Sequence, residues 1–374
     1  MSFEPRNMLV TGGAGFIGAN FVRHWLARPG TGLVVVLDAM TYAGNRDSLS
    51  GVDQDPRFIF EQGDICDTAL VESLLRRHRI DTVVHFAAES HVDRSILGPD
   101  DFIRTNVVGT HSLLKAAKKF WLDARELSAH RFHHVSTDEV FGSLRAGDPA
   151  FEETTQYSPN SPYSASKAAS DHLVRAYRET YGLSTTLTNC SNNYGPYQFP
   201  EKLIPLLIIN ILSGKSLPVY GDGLQVRDWL HVSDHCAAIA LALTRGQSGE
   251  IYNIGGNCET TNLDLVSTLC ALMDAVFARR PELRSAFPGS PAAQGRSSAD
   301  LITHVNDRPG HDRRYAINYS KARRELGYEP SFYLTRGLSE TIGWYLDNET
   351  WWQRLLGRDY SAWVTSNCGD RPGS

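Results

Sequence analysis

Thr137, Asp138 and Glu139 follow directly on Ser136, where the apolar run Phe132 to Val135 ends and before Val140-Phe141-Gly142. Adjacent carboxylates repel each other and both demand hydration, so stability alone does not recommend the pair at a strand end. In isolation the triplet reads as a solvated turn with capping chemistry. Tyr163 and Lys167 change that reading. They stand four apart in the helically periodic segment 163–181 and share a face about one turn apart. A phenol titrates near ~10 and is a poor base at neutral pH. A neighbouring ammonium and an oxidised nicotinamide would stabilise the phenolate and bring that value down. The carboxylates then add what oxidation alone does not need: an acid and a base for removing water. Coupled carboxylates titrate apart, one kept protonated by the other, although the residues alone do not say which.

The elements that must position these groups begin with a dinucleotide site. Met8 to Thr11 is a short apolar strand, Gly12-Gly13-Ala14-Gly15-Phe16-Ile17-Gly18 a glycine turn, and 17–27 a helix. Strand, turn and helix in that order bring backbone amides and a helix N-terminus to a pyrophosphate. A second strand, Leu33 to Leu37, ends in Asp38, twenty residues beyond Gly18. An acid there accepts from an adenosine ribose and repels a 2′-phosphate, which favours NAD over NADP. Further strand ends fall near Gly63-Asp64-Ile65 and at Ala87-Ala88, and Asn106 to Ala117 reads as a helix. The alternation predicts an α/β fold, a Rossmann-type NAD-binding doubly wound parallel sheet with a smaller α/β C-terminal substrate lobe. Ligands then gather at the carboxyl ends of the strands, where Thr137 to Glu139 lie.

The expected boundaries are 1–190 for the NAD-binding domain, with 225–255 returning to it, and 191–224 plus 256–360 for the substrate lobe. Residues 278–300, rich in Arg, Pro, Ser, Gly and Ala with little periodicity, read as an exposed insertion, and 361–374 as a tail. In the substrate lobe Lys202, Arg227 and Arg308 suit a diphosphate, and Tyr220 suits packing on a base.

Bulk properties set the outer limits. The 374 residues carry a formal charge of −5, which argues against nucleic acid as a partner. The six cysteines show no CxxC or paired spacing, so no metal site is expected and a reducing compartment is. The start, Met1-Ser-Phe-Glu-Pro-Arg, lacks the apolar core of a signal peptide, and no apolar run approaches the roughly 20 residues of a membrane span. The expectation is a cytoplasmic protein that binds no membrane.

The motifs taken together resemble the extended short-chain dehydrogenase/reductase superfamily, and within it the dTDP-glucose 4,6-dehydratase family. The resemblance rests on the glycine turn and Tyr163-x-x-x-Lys167, with Asp38-x-x-Thr41-Tyr42-Ala43-Gly44-Asn45, Ala87 to Ser95, Thr137 to Val140, Asn192 to Leu203 and Arg308 to Tyr315, in order along residues 8 to about 355. Phe141 stands where many relatives carry Tyr.

The resemblance implies a redox-neutral elimination on dTDP-glucose with tightly bound NAD, in deoxysugar biosynthesis. Tyr163 would take the 4-OH proton, Thr137 would bond the 4-oxygen, Glu139 would remove the C5 proton, Asp138 would protonate the departing 6-OH, and Lys167 would hold the nicotinamide ribose. It implies NAD contacts from Gly12, Gly15, Phe16, Ile17, Gly18, Asp38, Thr41, Asp64, Ile65, Ala87, Ala88, Thr105, Tyr163, Lys167 and Asn193. Substrate contacts would come from Ser90, Thr137, Asn192, Lys202, Leu203, Pro218, Tyr220, Arg227, Asn262, Arg308 and His311. It also implies a homodimer through helices such as 106–119 and 163–181. The rivals are an epimerase or decarboxylase of the same superfamily, disfavoured by the paired acids, and a NAD-sensing scaffold, disfavoured by the intact Thr137, Tyr163 and Lys167.

Overall fold

The computed structural model describes residues 3–125, 127, 129–307 and 311–356, in two compact units. Arg308 and the expected tail lie outside the described residues. The first unit comprises residues 1–193, 226–259 and 309–332. Its sheet is built from β1 (Met8–Thr11), β2 (Val34–Asp38), β3 (Phe58–Gln62), β4 (Thr82–His85), β5 (Arg131–Thr137), β6 (Thr185–Cys190) and, after the shorter β7 (Asn192–Tyr194), β8 (Leu217–Tyr220) and β9 (Val226–His231), β10 (Ile251–Ile254). The seven strands run in the order β10-β6-β5-β4-β1-β2-β3, every pairing parallel.

Alternation along the strands explains the two layers of helices. Met8, Val10, Val34 and Val36 pack on one face with Phe21 and Val22 of the helix Phe16–Leu26 and with Ile239 and Leu243 of the helix Val232–Arg245. Leu9, Val35, Leu37 and Phe132 face the other way, against Leu74 of the helix Thr68–Arg77, Leu113 and Val174. Residues 313–318 are tied into this unit by backbone hydrogen bonds. The Val226 amide donates to the Arg313 carbonyl at 2.9 Å, and Phe151 donates to the Ala316 carbonyl at 2.8 Å.

The helix Pro162–Tyr181 is delimited by its own sequence. Ser161 caps it, in a reciprocal box with Ser164, Pro162 fills the first turn, and Gly182 closes it with φ 76°. Opposite it, the expected helix from Asn106 is a longer run in which π-turns at Ile103–Gly109 and Lys119–Asp123 flank the α-helical Thr110–Lys118.

The second unit comprises residues 194–225, 260–308 and 333–374. The helix Asn262–Arg279 packs with the helices Leu203–Ser213 and Leu334–Asp347, and β8 pairs in parallel with Ile302–Val305. Segment 278–300 departs from the exposed insertion expected of it. It folds into short helical turns with Leu283 and Phe287 buried, and the Ser298 amide and hydroxyl both donate to Asp274 Oδ1, at 3.1 and 2.5 Å. Its buried residues, Leu283, Phe287, the run Ser290 to Ala292 and Ser298, are unevenly spaced, a pattern with no period to read.

Candidate active site

Three glycines shape the loop after β1 for different reasons. Gly12 has φ 69°, and a Cβ there would lie 2.6 Å from the Ala87 nitrogen at the end of β4. A Cβ on Gly18 would meet the Gly12 carbonyl oxygen at 2.2 Å, so the helix sits directly on the strand end. At Gly15 a Cβ would meet only the Gly12 oxygen, at 3.3 Å, which marks the open side of the loop. Gly15 is the N-cap of the helix Phe16–Leu26, makes no side-chain cap bond, and no acid lies in the first turn. Amides left uncapped at the start of an eleven-residue helix complement a phosphate.

Asp38 does more than expected. Its Oδ2 accepts from the Ala14 amide at 2.9 Å and its Oδ1 from the Met40 amide at 2.8 Å, so it ties the glycine loop to the end of β2. Burial raises its carboxyl despite these two bonds. Each oxygen keeps a second lone pair for a ribose hydroxyl. Nearby Thr41 is exposed and Phe16 and Ile17 half-buried. Asp64 caps its own turn through the Cys66 amide (2.8 Å) and pairs with Arg104 (2.9 Å), while Ile65 is buried. The loop, the helix start and Asp38 therefore fit an adenosine diphosphate moiety, as in NAD.

At the end of β5 the expected turn and the expected site coincide. Thr137 is the N-cap of the short helix Asp138–Phe141; its hydroxyl accepts from the Glu139 amide and donates to Asp138 Oδ1, both at 3.3 Å. The strand runs two residues beyond Val135 before it stops. Asp138 is 1% exposed, with Oδ2 buried and unpartnered, whereas Glu139 is only half-buried. Burial, and then the negative charges of Glu139 and Asp228, push the Asp138 carboxyl well up, against the pull of Arg227. Phe141 is buried between Phe151, stacked at 5.1 Å, and the edge of Tyr157 at 5.2 Å.

Tyr163 is buried in the same cluster, with Thr137, Glu139, Cys190 and Asp138 in its electrostatic environment. The expected lowering of its pKa depends on an oxidised nicotinamide as well as on Lys167, and the protein's own groups work the other way. Burial first, and then Glu139, push the phenol well up; the Thr137 hydrogen bond opposes them. The Lys167 ammonium, 4% exposed, donates to the Val135 carbonyl at 2.8 Å and faces His134 Nε2 at 3.4 Å. An ammonium has three protons, so one remains beyond these two neighbours to serve a ribose.

The other residues expected to make contacts fall in both units. In the first unit Ala87, Ala88, Thr105, Asn192, Asn193 and His311 are half-buried and Ser90 exposed. Asn192 keeps a buried, unpartnered Oδ1. Asn193 pins its loop instead, through the Ser191 carbonyl (2.9 Å) and His235 (2.9 Å). Arg227 is buried, donates to the carbonyls of Val226 and Asp312 (2.8 and 2.9 Å) and lies 4.3 Å over the Tyr315 ring, a setting more enclosed than that of a surface phosphate cation. In the second unit Lys202, Leu203, Pro218, Tyr220 and Asn262 are half-buried, and Asn262 has a buried, unpartnered Oδ1.

Several supporting residues escaped the sequence reading. Asn106 accepts from the Glu89 amide (2.9 Å) and donates to the Glu89 carbonyl (3.0 Å) and to Ser166 Oγ (2.8 Å), linking the Ala87-Ala88 strand end to the Tyr163 helix. Asn189 donates to the Thr137 carbonyl at 3.0 Å. His134 and Asp171 lie behind Lys167. Their partners are distant in sequence, and the only local signal was polar residues inside otherwise apolar segments.

Residues 9–341 match the family described as GDP-mannose 4,6 dehydratase. The chain is 54% identical over 357 residues to a dTDP-glucose 4,6-dehydratase of Neisseria meningitidis serogroup B, covering 95% of this chain and 97% of that protein. It is 55% identical over 356 residues to that of Xanthomonas campestris pv. campestris, covering 94% and 96%. A crystal structure of the Streptomyces venezuelae dTDP-glucose 4,6-dehydratase with NAD and TYD bound superposes with a TM-score of 0.81 at 47% identity, covering 93% of this chain and 99% of that one.

Proposed function

The chain belongs to the family described as GDP-mannose 4,6 dehydratase, among its dTDP-glucose 4,6-dehydratases, and from that premise we propose how its residues convert dTDP-glucose to dTDP-4-dehydro-6-deoxy-D-glucose and water. The observation that carries the proposal is the unequal setting of two adjacent carboxyls, Asp138 buried and pushed toward its protonated form, Glu139 half-open, beside Thr137 and Tyr163.

NAD, when bound, supplies a hydride acceptor for the C4 hydrogen and the donor that returns it to C6. Gly12, Gly15, Gly18 and Asp38 would hold its adenosine diphosphate, and Lys167 its nicotinamide ribose. Tyr163 takes the O4 proton. Because burial and Glu139 hold the phenol up, its ionisation depends on a positive charge brought against it, so Tyr163 becomes a base only in the loaded enzyme. Thr137 bonds the same oxygen and fixes the sugar's C4 against it. Oxidation at C4 acidifies the C5 hydrogen, which Glu139 removes. Asp138, kept protonated, gives its proton to the 6-hydroxyl as it leaves as water. Glu139 then returns a proton to C5.

We also infer a homodimer through the helices 106–119 and 163–181. Its support is a group of exposed apolar side chains on and beside them, Ile96, Leu97 (74% exposed), Ile103, Val108 and Tyr181. A cytoplasmic setting is in keeping with the unpaired state of the five described cysteines.

Purified protein supplied with NAD and a panel of dTDP-, UDP- and GDP-hexoses tests the activity. Loss of water from dTDP-glucose to a 4-keto-6-deoxy product is expected. Inversion at C4 without loss of water would make the protein an epimerase.

A further inference from the structure

Tyr197 holds its backbone at φ 66°, in the left-handed region that a bulky side chain rarely enters. A residue kept there costs folding free energy, and it persists only where its surroundings over-determine it. Gly195, two residues earlier, is also at positive φ, 141°, but glycine takes that up freely. Tyr197 therefore carries the strain of this segment. The segment runs from Tyr194, the last residue of β7, to Lys202, the N-cap of the helix Leu203–Ser213.

One helix of the same unit, Leu334–Asp347, meets the segment at three points. Near its start Gly337 lies so close to Tyr194 that a Cβ would stand 2.0 Å from the phenol oxygen. Two turns on, the Trp344 ring packs on Tyr197 with centroids 4.6 Å apart, and the Tyr345 hydroxyl donates to the Gln198 carbonyl. The next helix, Glu349–Leu356, closes the cluster. Trp351 meets Tyr197 at 5.8 Å and Trp344 at 5.0 Å, both edge to face, and Trp352 Nε1 donates to the Tyr345 carbonyl at 2.9 Å. Edge-to-face pairs at such distances add to what plain burial supplies. The strained ring and the carbonyl that follows it are thus held by consecutive residues of one helix.

Beyond Gln198 a single turn leads to Lys202. The Lys202 amide donates to the Phe199 carbonyl at 3.0 Å, and the Lys202 carbonyl accepts from the Leu206 amide at 2.9 Å. The turn is short, so the placing of Lys202 follows from where Gln198 is held.

We propose that Trp344, Tyr345 and Trp351 are positioning residues for the substrate: they hold Tyr197 in its strained conformation and so set Lys202 against the diphosphate of the nucleotide sugar. The inference rests on the reading of the substrate as a dTDP-sugar whose diphosphate meets Lys202. A diphosphate remote from the reacting carbons is held alike in the ground state and the transition state. The brace therefore governs binding and leaves the proton transfers at C4, C5 and C6 alone.

Trp344 is half-buried, so its truncation should leave a folded protein. In the NAD-loaded enzyme Trp344→Ala should raise KM for dTDP-glucose about tenfold and keep kcat within about twofold, the pattern of lost uniform binding. Calorimetry with dTDP alone should show the same loss. NAD content should not change, because the glycine loop and Asp38 belong to the other unit. Trp344→Phe, which keeps a ring, should restore most of the affinity. Tyr345→Phe loses only the bond to Gln198 and should weaken dTDP binding by less, about threefold. Two substitutions at Tyr197 separate strain from packing. Glycine adopts φ 66° at no steric cost and alanine does not, so Tyr197→Gly should bind dTDP more tightly than Tyr197→Ala. Glycine as harmful as alanine, or more so, would make the cluster plain packing and overturn the proposal. Unchanged dTDP affinity in Trp344→Ala, or a loss shared equally by kcat and NAD content, would overturn it too. If the variants weaken dTDP binding as expected but wild type leaves dTDP-glucose unconverted, the dehydratase reading alone fails.

Discussion

Asp38 accepts the Ala14 backbone amide at 2.9 Å, so the last residue of β2 holds the glycine loop that follows β1. A carboxylate expected only to meet a ribose is also what keeps the phosphate loop in place. Asp38→Ala removes the loop bond together with the proposed ribose acceptor, and a hydrogen bond to a charged group is worth about 1.5–3 kcal/mol. NAD affinity measured by calorimetry should fall at least about tenfold, with a lower melting temperature. Unchanged NAD affinity would show that the loop holds its shape without Asp38.

Asp138 should cost the protein stability. Its folded pKa is raised by burial and by Glu139, so between the unfolded value near ~3.9 and the raised folded value the native state binds more protons than the unfolded one. Stability from this group therefore falls as pH rises through that window. Asp138→Asn should melt higher than wild type at neutral pH, the difference should shrink toward acid pH, and turnover should be lost. A variant less stable than wild type at neutral pH would place the charge in a more favourable setting than the structure shows.

Glu139→Gln separates oxidation from elimination. The variant should bind NAD as wild type does and release no C5 proton. Mass spectrometry of substrate recovered from deuterated water reads this directly, and undiminished exchange at C5 would assign the base elsewhere.

Asn106 joins the Glu89 backbone to Ser166 on the catalytic helix. Asn106→Ala removes three hydrogen bonds, two to the Glu89 backbone and one to Ser166 Oγ, which keeps its bond to the Tyr163 carbonyl, at about 0.5–1.5 kcal/mol for each. Thermal melting should show a loss of that order, with weaker NAD binding from the displaced Ala87-Ala88 strand end. A variant of wild-type stability would mean that water replaces the amide.

How much of this was legible depended on whether a residue's reason lay close by in sequence. Gly12 and Gly18 could be read because one loop, one strand and one helix meet within a few residues, and Tyr163 with Lys167 because a single helix sets their spacing. The parallel sheet followed from strands alternating with helical stretches along the chain. His134 and Asp171, 37 positions apart, and Asn106 and Ser166, 60 apart, gave no such signal, because each is explained only by its partner across the fold. The influences that oppose ionisation of Tyr163 were hidden for a similar reason. The i, i+4 lysine was visible in the sequence, but the burial and the Glu139 charge that hold the phenol up came only with the folded site.

The central claim is that the C4 hydrogen returns to C6 of the same sugar while water leaves. Incubating the protein and NAD with dTDP-glucose deuterated at C4, and analysing the product by NMR, tests it most directly. Deuterium at C6 of a 4-keto-6-deoxy sugar, with C5 carrying solvent hydrogen, is the predicted result. Deuterium lost to solvent or still at C4, or a product that keeps its 6-hydroxyl, would contradict the account.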